Sequence, residues 1–310
     1  MNINSSRRLG FALAAVLAFL IGPGLACAAT GDLYVANSGN NTVVRITPAG
    51  VVIPVPITGL SQPHGLAFGP DGSLYVANIG NNNILKYTAV GLTTVFASTG
   101  LAGPRGLAFD SAGNLYAANA DANTVERFAP DGSPSVFANA NLATPKGLAF
   151  DSTGNLYVGS TNFSTIQRVT PGGASSLFAS TGLNFPYGLA FDRAGNLYAA
   201  NQTNGIIERF TPGGVASAFA SSPDYPYGLA FDAAGTLYAA NRNGNRIDRF
   251  TAAGVSSVFD STGLNSPTFI AFEGVPLSVP EPTSAALLLG SNLLLSQRRR
   301  RGSNAAFAII

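Results

Sequence analysis

The 310-residue chain has no tryptophan, one cysteine, one methionine and one histidine, and only 10% of its residues are charged. Its single thiol, Cys27, has no partner within the chain, so no disulfide framework holds the fold together. The single imidazole, His64, excludes a zinc centre built from histidines, and a cysteine-containing centre is excluded because Cys27 lies in the N-terminal segment. Disorder is excluded as well, because a disordered chain is poor in aromatics and rich in charge, whereas this one has 20 Phe and 10 Tyr. What the chain does have, 36 Gly and 19 Pro with few charges, fits a turn-rich all-β protein.

The two ends differ from the body. Arg7 and Arg8 precede an apolar run over residues 9–21 and the small residues Ala26-Cys27-Ala28-Ala29. This is the three-part order of a secretory signal peptide, which assigns residues 1–29 to export. At the other end stand Val279-Pro280-Glu281-Pro282, an apolar stretch centred on residues 287–295, and four arginines at 298–301. That order resembles a PEP-CTERM sorting signal over residues 277–310. The resemblance implies an exosortase-type processing enzyme, transient membrane contact through the termini, and residence at the cell surface or extracellular matrix of a Gram-negative-type bacterium. Two features depart from the pattern. Residues 283–297 would make a helix only about 22 Å long against a hydrocarbon core of about 30 Å, and nine residues follow the arginines. Without the two ends, 11 basic residues face 14 acidic ones, a net charge of −3. The body therefore lacks the concentrated positive footprint that a nucleic-acid partner requires.

Between the ends one pattern recurs: LYVAN at Leu33 and Leu74, LYAAN at Leu115, LYVGS at Leu156, and LYAAN at Leu197 and Leu237. GLAF begins at Gly65, Gly106, Gly147, Gly188 and Gly228, with a degenerate copy, FIAF, at Phe269. A period of 40 to 41 residues is a supersecondary unit repeated in tandem. Each unit parses into four short strands: GLAF, LYAAN, a run such as Thr124 to Phe128, and a run such as Ser135 to Ala138, joined by turns such as Asp110 to Asn114 and Pro130-Asp131-Gly132. Four antiparallel strands per unit predict a propeller blade. Because the series starts on a second strand and ends on a first strand, one blade must draw on both ends, which closes a six-bladed β-propeller over residues 30–276 and pairs the open edge. A linear solenoid would need polar capping repeats, and neither terminal repeat has that character.

The string Pro104-Arg105-Gly106-Leu107-Ala108-Phe109-Asp110, continued by Gly113-Asn114-Leu115-Tyr116-Ala117-Ala118-Asn119, resembles the NHL repeat. Related patterns occur in gluconolactonase-like and streptogramin-lyase-like propellers. The NHL resemblance implies a binding platform; the lyase and lactonase relatives imply metal-assisted chemistry. One departure runs through the chain: the acidic residue usual at the end of the second strand is here Asn37, Asn78, Asn119, Asn201 and Asn241, with Ser160 in the fourth copy.

Antiparallel order puts the loop entering the first strand and the loop leaving the second on one face, so two six-membered rings gather near one mouth of the channel. The Asn/Ser ring reads as structural, because an Asn ending a strand bonds turn backbone and tolerates unusual dihedrals. The other ring, the residue between Pro and Gly, is His64, Arg105, Lys146, Tyr187, Tyr227 and Thr268. Turn stereochemistry does not demand such diversity, and this ring is the candidate site for a polysaccharide or protein ligand. His64, with Tyr187 or Tyr227 as partner, is the candidate acid–base residue of the alternative reading, a lyase or lactonase. The regular acids Asp110, Asp151, Asp192 and Asp232 belong to the opposite face, and Asp121 and Asp224 sit in loops of the candidate face. The metal site left open is Ca²⁺ or Mg²⁺ held by Asn oxygens and water. A further periodic set, Arg45, Lys86, Arg127, Arg168, Arg209 and Arg249, reads as outer-strand solubility charge offset by Glu126, Glu208 and Asp248.

Overall fold

The structure, a computed structural model, describes residues 31–274. The segments read from the sequence as a signal peptide (1–29) and a sorting tail (277–310) lie outside the described residues. The described residues form six four-stranded antiparallel sheets. Numbered from the first complete repeat, blades 1 to 5 have inner strands Pro63–Phe68, Pro104–Phe109, Pro145–Phe150, Pro186–Phe191 and Pro226–Phe231. Blade 6 takes Pro267–Phe272 from the C-terminal side and Leu33–Asn37, Thr42–Ile46 and Val52–Val55 from the N-terminal side. The closure expected from the repeat count is therefore made by Leu33 pairing with Phe272 and Asn37 with Pro267.

Burial follows position in the blade. The second strands are buried at every residue because both faces pack against neighbouring blades, whereas the fourth strands are largely exposed. This is why LYAAN is apolar up to its terminal Asn and the fourth strands carry Ser, Thr and Pro. Five of the six inter-blade seams are built on a second-strand tyrosine set edge-on to two phenylalanines, whereas Tyr34 of blade 6 meets only Phe68. Tyr116, for example, lies 4.8 Å from Phe137 of its own blade and 5.0 Å from Phe150 of the next. T-shaped pairs of this kind add about 0.5–1.5 kcal/mol each beyond area burial. Phe137 is the bulged residue of its strand, skipped in the pairing between Val136 and Ala138. Blade 6 has no such bulge and no such phenylalanine, and a cavity of about 220 Å³ lined by Tyr34, Val55 and Phe68 opens at its seam with blade 1.

Near the axis the inner strands approach so closely that a Cβ on Gly65, Gly106, Gly147, Gly188 or Gly228 would overlap the carbonyl oxygen of the ring residue in the next blade. The GLAF glycine is thus required by close backbone approach and not by its own dihedrals. The sixth copy carries Phe269, whose ring lies 5.9 Å from that of Tyr187 and 6.4 Å from that of His64.

Candidate functional site

The Asn ring is a framework, with a wider reach than its own turn. Asn78 accepts from the Ser61 amide at 2.5 Å and donates to the Gly59 carbonyl at 3.0 Å, so it clasps the loop entering its blade. Asn119 and Asn201 make the same pair of bonds with Ala102 and Gly100, and with Asn184 and Gly182. A second clasp escaped the sequence reading. Gln62, Gly103, Thr144, Phe185, Tyr225 and Ser266, each immediately before the proline of an inner strand, have φ between 48° and 59°. In four of these the amide is held by the side chain of Asn41, Asn82, Asn123 or Asn245, 21 residues earlier, at 2.7–2.8 Å. The signal was present in the sequence as an Asn four residues after Asn37, Asn78, Asn119 and Asn241, absent after Asn201, where Gly205 stands.

The chemically varied ring lies beside this framework: Pro63 pairs with Asn78 and Pro104 with Asn119, which sets His64 and Arg105 one residue further along. The ring residues meet one another more intimately than a solvated rim would. His64 is 5% exposed, Lys146 8%, and Tyr187 and Tyr227 are buried. Arg105 donates from a terminal nitrogen to His64 Nε2 at 3.2 Å and to the Tyr187 hydroxyl at 3.4 Å. Tyr187 and Tyr227 pack with ring centroids 4.1 Å apart, and Lys146 Nζ lies 5.5 Å from the Tyr187 centroid. Thr268 stands apart: fully buried, it donates to backbone carbonyls of Ala36 and Pro63 and ties blade 6 to blade 1.

Sequence reasoning missed Arg242 and Gln202, which follow the strand-ending Asn of blades 5 and 4. Arg242 donates to the Tyr227 hydroxyl at 3.0 Å and sits over that ring, and Gln202 donates to the same oxygen at 2.9 Å. It also missed three exposed aromatics on the same face: Phe163, in the loop leaving the second strand of blade 3, and Phe185 and Tyr225, at the entrances to blades 4 and 5. The corresponding residues of blades 1 and 2 before proline are Gln62 and Gly103. An aromatic where its counterparts are polar or Gly was the available signal.

Electrostatics follow from this packing. Burial, then Arg105, Lys146 and Arg242, hold the His64 imidazole well below its usual pKa. Burial and Arg105 lower Lys146 to about 8, with Asp121 acting in the opposite sense. Among the described residues no carboxylate lies within 4.0 Å of the cationic nitrogens of Arg105, Lys146 or Arg242. A divalent metal does not fit here, since His64 is surrounded by positive charge, and among the described residues no three His, Cys, Asp or Glu side chains converge. The Asn oxygens proposed as ligands are engaged by loop amides or, in Asn241, by the Ser222 hydroxyl.

The remaining sets fall elsewhere. On the opposite face Asp110 accepts from the amides of Ala112 and Asn114 and from the Tyr116 hydroxyl, a turn-holding role. The channel opens there into a cavity of about 390 Å³ lined by Leu and Phe of the inner strands. The periodic cations pair across the sheet with the second-strand tyrosines, Arg45 with Tyr34 and Lys86 with Tyr75 among them. Arg45 is offset by Asp32 and Lys86 by Asp71, while Asp248 pairs with Arg246 and not with the periodic set. This corrects the expectation that Glu126 and Glu208 offset them: both are buried, and burial raises their pKa.

Fold and site together define a six-bladed propeller whose one mouth is cationic and rimmed by aromatics. The chain belongs to the virginiamycin B lyase family, which it matches over residues 21–208. No curated protein matches it significantly. Among solved structures it is similar to a chain of a nidogen/laminin complex (21% identity, TM-score 0.70, covering 77% of this chain and 97% of that one). It is similar to virginiamycin B lyase from Staphylococcus aureus (19%, TM-score 0.62, covering 79% and 89%). A gluconolactonase from Xanthomonas campestris is likewise similar (19%, TM-score 0.60, covering 80% and 88%). At these identities the likeness to solved structures is one of fold.

Proposed function

We propose that the protein is an exported, non-catalytic binding propeller that recognises a polysaccharide or protein partner at the mouth carrying His64, Arg105, Lys146, Tyr187 and Tyr227, at the cell surface or in the extracellular matrix. The observation that carries this reading is the juxtaposition, on one face, of cations without a carboxylate partner and exposed aromatic side chains. Arg, Tyr and Phe are the residues that anchor interfaces, and unpaired charge at the centre gives an incoming partner something to neutralise. Tyr187 and Tyr227 serve by holding Arg105 and Arg242 in place, since their own faces are taken up by packing. Phe163, Phe185 and Tyr225 supply the apolar contact.

Family membership favours a second reading, a divalent-metal-assisted lyase or lactone hydrolase with His64 as acid–base residue. A neutral imidazole is available for such a role, but the surrounding cations oppose a bound metal. A panel of glycans, lactones and cyclic depsipeptides, assayed with and without Mg²⁺ or Ca²⁺, separates the two. Binding without turnover, weakened by substitution of Phe163, Phe185 and Tyr225 together, is the expected result. Metal-dependent product formation abolished by His64→Ala would establish the lyase reading instead.

A further inference from the structure

Three buried side-chain nitrogens in the ring cluster have no hydrogen-bond partner: His64 Nδ1, Arg105 Nε and Arg242 Nε. All three are donors. An arginine nitrogen cannot accept, so Arg105 must donate to His64 Nε2; this places the proton of the neutral imidazole on Nδ1. The cluster thus holds unmet donors and positive charge with no acceptor among the described residues to balance them, whereas buried donors are almost always satisfied. Asp121, the acid that acts on Lys146, is itself exposed to solvent.

We infer that this mouth is an oxyanion site: a carboxylate or phosphate group of the ligand is taken between the guanidinium groups of Arg105 and Arg242, with Lys146 and His64 behind them. The inference rests on the binding reading above and names the chemistry that the partner presents. Each arginine is partly exposed and spends one terminal nitrogen on a tyrosine hydroxyl, so its planar fork is fixed in orientation before the ligand arrives. Planar, pre-oriented donors match the two oxygens of a carboxylate or phosphate. Their neighbours argue for the same sign of ligand: a cation would meet three positive charges, and a neutral group would leave them uncompensated in a partly desolvated site. Exposed Phe163, Phe185 and Tyr225 lie outside this centre and read whatever carries the anion.

His64 is the only histidine, so the imidazole protons of the untagged full chain give one assignable signal at the centre of the site. Titration with sodium acetate, glucuronate, phosphate and sulfate, each against sodium chloride at matched ionic strength, is expected to shift that signal saturably for at least one oxyanion and not for chloride. The arms distinguish carboxylate from phosphate. Arg105→Gln with Arg242→Gln is expected to weaken the response about ten-fold or more, as loss of charged hydrogen bonds would. Should that double variant fail to melt cooperatively, Arg105→Lys and Lys146→Met, tested singly, must each lower affinity for the inference to stand. A non-saturating shift, a shift equal to that in chloride, or one indifferent to these substitutions overturns it. Substituting Phe163, Phe185 and Tyr225 by Ser is expected to abolish capture of the macromolecular partner while leaving the small-anion titration intact. Anion binding without any partner would sink the binding function alone, and partner binding without any anion response would sink the oxyanion site alone.

Discussion

Two rings of six side chains stand side by side at one mouth of the propeller, joined through strand pairing in every blade. One repeats itself: Asn37, Asn78, Asn119, Asn201 and Asn241, relieved only by Ser160. The other changes at every step but one: His64, Arg105, Lys146, Tyr187, Tyr227, Thr268. In five of the six blades the repeating ring accepts from a loop amide, a demand that recurs with the repeat, and in blade 5 Asn241 bonds the Ser222 and Asp248 side chains instead. Apart from Thr268, which bonds backbone, the varied ring packs side chain against side chain across blades, where six-fold repetition would bring six like charges or six like rings together. Its variety is therefore partly a condition of filling a shared centre, and the surplus, unpaired positive charge, is what function can use.

The comparison breaks most completely if the ring is not closed. A chain ending at Gly263 lacks Pro267–Phe272, which leaves the strand Leu33–Asn37 unpaired on its inner edge and removes the Thr268 tie to blade 1. It is expected to lose the cooperative thermal transition that a chain ending at residue 279 retains, as followed by circular dichroism. Equal melting temperatures would refute closure by that strand. The next largest effect is expected from Gly188→Ala, whose Cβ would overlap the Tyr227 carbonyl oxygen and crowd Gly228. Backbone cannot yield as a side chain does, so the cost should reach the upper end of the overpacking range, about 3 kcal/mol by denaturant unfolding.

How much of this was legible in advance follows from the same contrast. Strand order, blade number and closure were readable because each blade repeats one set of physical demands, and repetition survives as spacing. The face carrying the ring was readable too, from antiparallel order alone. What was not readable was contact between blades: that Arg105 reaches both His64 and Tyr187, 82 residues away, or that Arg242 joins the cluster from the loop after Asn241. These contacts depend on side-chain reach across the axis, which leaves no periodic trace. Glu126 and Glu208 were placed with the periodic cations because they adjoin them in sequence, but a strand sends adjacent side chains to opposite faces.

The framework ring is tested more gently by Asn78→Ala, which deletes the bonds to Ser61 and Gly59 from a fully buried position. A loss of about 2 kcal/mol is expected from two unsatisfied backbone groups, with the oxyanion titration unchanged. Asn78→Asp sharpens the point. It keeps the acceptor but replaces the donating nitrogen with an oxygen facing the Gly59 carbonyl and Asn83 Oδ1. It should cost more than alanine at pH 7, and less as the carboxyl is protonated in acid.

The smallest expected effect belongs to the varied ring and is seen through pH. Folded Lys146 loses its proton near pH 8, against about 10.5 for the ordinary side chain. Between those values the unfolded chain holds the extra proton, so stability rises with pH across that window, by an amount on the order of 2 kcal/mol if Lys146 acts alone. Tyr187 acts in the opposite sense. Burial raises its pKa, so its contribution is lost only above the unfolded tyrosine value near 10, which leaves pH 8 to 10 as the window to measure. Lys146→Met should flatten the rise and be more stable than the parent at pH 7, because it removes a buried charge that Arg105 repels. Stability at pH 7, 8, 9 and 10 by urea unfolding checks both outcomes. A parent protein that weakens steadily across this range, or a methionine variant that keeps the same slope, would mean that Lys146 is solvated and the mouth is no more positive than the rest of the surface.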